Sequence, residues 1–96
     1  MSFRVRVGSW TCSRLVSLFG GTVVMEIARY ACRHCSTCSA RVDYVHSRLN
    51  GEGEWDRAEG GLVVKLAYPA DRATDPASIA GFLQEKLGLS VAAITA

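Results

Sequence analysis

Three of the four cysteines cluster in Cys32-Arg33-His34-Cys35-Ser36-Thr37-Cys38, each three residues from the next. Thiolates are soft donors that suit Zn²⁺, and a C-x2-C turn sets two sulfurs about one metal. Cys32, Cys35 and Cys38 would supply three ligands. A tetrahedral site then needs a fourth, from Cys12, His34 or His46, brought near by folding. Structural zinc sites commonly draw on a second paired knuckle, and this chain has none. Zinc is therefore the rival expectation. The leading one is no cofactor, with the thiols filling small core spaces or sitting in a turn.

Two other cysteine chemistries fit less well. A ferredoxin-type cluster run continues to a fourth cysteine followed by proline; here the position four after Cys38 is Val42, and no proline follows. Arg33 and His34 would favour a thiolate in Cys32-x-x-Cys35. A thioredoxin-like motif sits at the start of a helix, however, and the residues after Cys35 read as a turn into a strand.

Trp55 stands between Glu54 and Asp56 in a glycine-rich polar stretch, where an aromatic side chain can anchor a partner or ligand. Arg4 and Arg6 project from one face of an alternating segment. Arg29 and Arg41 join them if their segments are neighbours, and such a patch would contact phosphates. No RNP1 pattern, phosphate-cradling GxxxxGK[ST] or GxGxxG accompanies it. Asn50, Glu52, Glu54 and Asp56 match a calcium loop poorly, because the downstream acid is out of register. His46 lacks any nucleophile–base signature around it.

The elements that position these residues read as follows. Phe3-Arg4-Val5-Arg6-Val7 alternates strictly and predicts a strand. Thr11 or Ser13 caps a short helix over Arg14–Phe19, ended by Gly20-Gly21. Residues 22–32 carry both a helical face (Val24, Ile27, Ala28, Ala31) and strand formers, with the strand slightly favoured. Residues 40–49 predict a strand with Val42, Tyr44 and His46 on one face. Gly61–Tyr68 is a strand with Leu62, Val64, Leu66 and Tyr68 inward, stopped by Pro69. The clearest element is a helix over about 75–88. Asp75 is its N-cap and Pro76 its first residue; Ile79, Phe82, Leu83 and Leu87 form the buried stripe, and Gly88 ends it. A short strand over Ser90–Ala96 closes the chain.

These elements predict one α+β domain over residues 1–96. Its sheet is mostly antiparallel, of four to five strands, with the C-terminal helix packed on one face. With residues 12–35 as one broken helical crossover, the order is the ferredoxin-like βαββαβ, the leading specific topology. With a strand over 22–32 it is a larger, mostly antiparallel sheet with helices on one face.

The chain of 96 residues is 49% apolar and 21% charged, the balance of a folded domain rather than a disordered one. The uncharged run Leu15–Met25 is far shorter than the roughly 20 residues that span a bilayer. Arg29 spoils the −3 position of the nearest cleavage-like site. No membrane association is expected, and the lack of an address predicts a cytoplasmic protein. The first 48 residues carry seven arginines against Glu26 and Asp43, while the rest carry an acidic excess. Together these features predict a non-enzymatic ligand-binding or protein-interaction module. Trp55, Arg4, Arg6 and Arg41 are its contact residues. Sheet edges predict self-pairing as a homodimer. The alternatives are a zinc-stabilised domain and an arginine-dependent nucleic-acid binder.

Overall fold

Alternation makes the first strand. Val5 and Val7 of β1 (Ser2–Val7) are fully buried, while Arg4 and Arg6 between them are exposed. This computed structural model describes residues 1–9, 12–29, 38–49, 54–56 and 61–94.

The helix expected over Arg14–Phe19 is instead a strand, β2 (Arg14–Phe19), antiparallel to β1. The period decides it: Arg14 and Val16 are buried, and Leu18 joins the same core from the edge of that face. Gly20 and Gly21 do not stop a helix. They hold φ of 53° and 80° and form the two-residue turn of a hairpin, with Phe19 opposite Thr22. Only residues that tolerate positive φ build that turn, which matches the twist of the flanking strands. The second arm is β3 (Thr22–Arg29), the strand favoured from sequence.

The strand expected over 40–49 is also corrected. Cys38–Leu49 forms a helix, α1. Val45 and Leu49, four residues apart, are buried to 1% exposure or less, whereas Tyr44 and His46 are exposed. The strand reading followed the β-propensity of Val and Tyr, which packing readily overrides. The helical spacing of Val45 and Leu49 was the better signal.

Then come β4 (Glu54–Asp56), β5 (Gly61–Ala67), α2 (Pro76–Leu87) and β6 (Val91–Ile94). The strands form one sheet in the order β4-β5-β3-β2-β1-β6, antiparallel throughout. Among the described residues it has five longer strands and the three-residue β4 at one edge. The α+β class therefore holds. The element order βββαββαβ departs from the ferredoxin-like βαββαβ, because the segment read as a first crossover helix is the β2–β3 hairpin.

Both helices lie on one face of the sheet and touch each other, α1 over β3 and α2 over β6. The core fills the space between. From the sheet it takes Val5, Val7, Val16, Val23, Met25, Ile27, Val64 and Leu66, and from the helices Val45, Leu49, Ile79, Phe82, Leu83 and Leu87. Tyr68 closes one end, its ring edge-on to Phe82 with centroids 5.1 Å apart and its hydroxyl donating to the Ala73 carbonyl. The opposite face carries Leu15, Val24, Val63 and Phe19, the last 62% exposed.

Helix α2 has the ends that its sequence encodes. Asp75 is extended (φ −73°, ψ 158°) and accepts the Ser78 N–H at 3.2 Å and the Ser78 hydroxyl at 2.6 Å. Gly88 sits at φ 68° and its N–H donates to the Gln84 carbonyl at 2.9 Å. The chain then turns straight into β6, which brings the last strand back along the helix that precedes it.

Candidate functional site

The return of β6 makes a site from residues of no chemical distinction. Among the described residues, strand β6 pairs with β1 on one side only and forms an edge of the sheet. The Gly8 N–H donates to the Ser90 carbonyl at 2.7 Å. Antiparallel pairs alternate between bonded and non-bonded. With Arg6 opposite Ala92 and Arg4 opposite Ile94, those pairs are bonded, and the backbone groups of Val91 and Ala93 turn away from β1. The outward Val91 N–H is met by the Gln84 side-chain oxygen at 3.2 Å. The Val91 carbonyl and both polar groups of Ala93 face the edge.

Beside that edge lies a groove of about 450 Å³ between β6 and the first half of α2. Asp75, Pro76, Ala77, Ala80, Val91, Ala92 and Ala93 line it. Its walls are mostly methyl groups, because α2 presents alanines where β6 does too. The one carboxylate, Asp75, is occupied as the helix cap. Hydrogen bonds from the Ser78 side chain and then from its backbone N–H hold its pKa below the usual carboxylate value.

The residues singled out from sequence distribute unevenly about this site. Arg6 stands next to it, on the outer face of β1 opposite Ala92. Arg4 lies on the same face opposite Ile94, but its guanidinium is turned to the β1–β2 connection. Its Nε donates to the Ser13 hydroxyl at 2.8 Å and a terminal nitrogen to the Ser13 carbonyl at 3.2 Å. Trp55 is at the far edge, on β4 opposite Val64. Arg41 belongs to helix α1 rather than to a strand. Cys38 opens α1, Cys12 is half-buried before β2, and His46 is exposed on α1. Cys32, His34 and Cys35 lie outside the described residues. Among the described residues, no group of three His, Cys, Asp or Glu side chains is placed to hold a metal ion.

Two features escaped the sequence. Arg14 is buried to 2% on the helix-facing side, opposite Val5; its phase with Val16 was the available signal. The groove alanines gave none, since alanine is unremarkable in any helix or strand. Among the described residues no helix is long and apolar enough to cross a membrane. Comparison with protein-family models, with characterised proteins and with solved structures finds no significant match.

Proposed function

We propose that the domain is a non-catalytic interaction module that takes up an extended polypeptide segment along β6. One observation carries the reading: the outward N–H and C=O of Ala93 lie beside an apolar groove walled by α2. An added strand gains main-chain hydrogen bonds from the edge, and alternate side chains find a pocket. The edge is also built for limited use. Among the described residues it is four residues long, and Gln84 occupies the Val91 donor at its beginning. Short, partly masked edges resist indiscriminate pairing.

A random heptapeptide library displayed on phage tests the reading. Selection on the immobilised domain is expected to enrich binders that lose binding to the Ala93→Pro variant. Proline removes the outward N–H and leaves the bonded pairs of β6 with β1 intact. Failure to enrich, or enrichment of peptides indifferent to Ala93→Pro, would overturn it.

A further inference from the structure

Building on that reading of β6 as a strand acceptor, we infer that the accepted segment is acidic on its outward side chains and apolar on its inward ones. The juxtaposition behind it is Arg6 across from Ala92. On the open face of the sheet, the described charges of β2, β1 and β6 are Arg4 and Arg6, both positive. Among the described side chains the acids of that face are Glu26 and Glu54, which sit on β3 and β4, toward the other edge. Arg4 is held by two neutral acceptors of Ser13, so its charge is retained.

An added strand lies about 10 Å from β1, two strand spacings away. Between them, Ala92 offers only a methyl group. An Arg6 side chain can cross it and meet a carboxylate on the incoming strand. Opposite-charge neighbours on one sheet face stabilise pairing, and like charges oppose it. The inward side chains of the added strand meet a different surface, the Ala77, Ala80 and Ala93 methyls of the groove. Asp75 does not oppose the acidic side chains, because it lies on the helix side of the sheet with its carboxylate turned to Ser78.

A second copy of the chain fits the edge less well. Helix α2 lies over β6. Symmetric β6–β6 pairing sets the strands about 4.8 Å apart. The two α2 helices above them need 8–10 Å between axes. It also brings Arg6 of both copies into one stretch of the open face. A slender extended segment meets neither obstacle.

Three capped hexapeptides, (Glu-Ala)₃, (Ser-Ala)₃ and (Lys-Ala)₃, test the inference by titration into the ¹⁵N-labelled domain. The acidic peptide is expected to shift the Val91–Ile94 amides and to bind about tenfold tighter than the serine peptide at low salt, with the lysine peptide weakest. Added salt should compress the series, and Arg6→Glu should reverse it. Equal affinities for all three, abolished by Ala93→Pro, would overturn the charge preference and leave strand addition standing. No β6 shift with any peptide would overturn both. A dimer without peptide that dissociates on Ala93→Pro would overturn the peptide as occupant. Ala77→Trp, at an exposed position, fills the groove without touching the core and should weaken the acidic peptide while the fold is retained.

Discussion

The Tyr44 hydroxyl donates to the Leu87 carbonyl at 3.2 Å, so α1 holds the last turn of α2. One turn further along α1, the Arg48 guanidinium lies over Gly88, the residue that ends α2. The end of a helix leaves carbonyls without intrahelical partners, and donors or cations placed there stabilise it. This junction fixes where α2 stops and hence where β6 begins.

Removing the Tyr44 hydroxyl tests that junction. Tyr44→Phe keeps the ring and deletes one hydrogen bond, so chemical denaturation should show a loss of about 0.5–1.5 kcal/mol. An unchanged midpoint would mean that the bond contributes nothing to the α1–α2 contact.

Gly88 tests the same end from the other side. Its φ of 68° is strained for any residue with a Cβ, and a Cβ there would come within 2.9 Å of Arg48 Nε. The arginine can move away; the backbone cannot. Gly88→Ala should therefore cost about 1–2 kcal/mol. Gly88→Asn should cost less, because asparagine tolerates that conformation better.

At the other end of α2, the Asp75 cap gives stability a pH dependence. Its folded pKa is lowered, first by the Ser78 hydroxyl and then by the Ser78 N–H. Its contribution is thus fully present above the ordinary carboxylate pKa of the unfolded chain. It fades as pH falls through the lower folded value. Asp75→Ala should unfold at a lower temperature than the parent near neutral pH, and the two curves should converge in acid. Parallel curves at every pH would contradict the cap.

Leu83 is fully buried between α2 and the sheet. Leu83→Ala removes most of that side chain and should cost about 2–5 kcal/mol in equilibrium unfolding. A smaller loss would mean that α2 is less firmly seated over the sheet than its burial implies.

Local signals carried part of this fold. The alternation of Val5 and Val7 with Arg4 and Arg6 defines β1. Asp75, Pro76 and Gly88 mark α2, since caps and turns are written in single residues. The hairpin at Gly20-Gly21 was written there as well, but a glycine pair ends helices and turns hairpins alike, and only the alternation beyond it separates the two. Residues 40–49 failed for another reason: Val and Tyr suit a strand, and packing of Val45 and Leu49 against the core chose a helix. The site was the least legible part. The last strand could be read from Val91 and Ile94. Its place at the sheet edge could not, because that depends on pairing with β1 at the opposite end of the chain. Arg6 was visible as a contact residue, but its neighbour Ala92 was not. Trp55 drew attention by its chemistry, and lies at the other edge of the sheet.

Amide-resolved hydrogen exchange across β6 tests the central claim most directly. With Ala93 turned to the edge, its N–H should exchange quickly in the isolated domain while the Ala92 and Ile94 N–H groups are protected by β1. Saturation with a bound peptide should slow Ala93 sharply. An Ala93 amide already as protected as Ala92 in the isolated domain would contradict the claim, because the edge would then have no donor to offer.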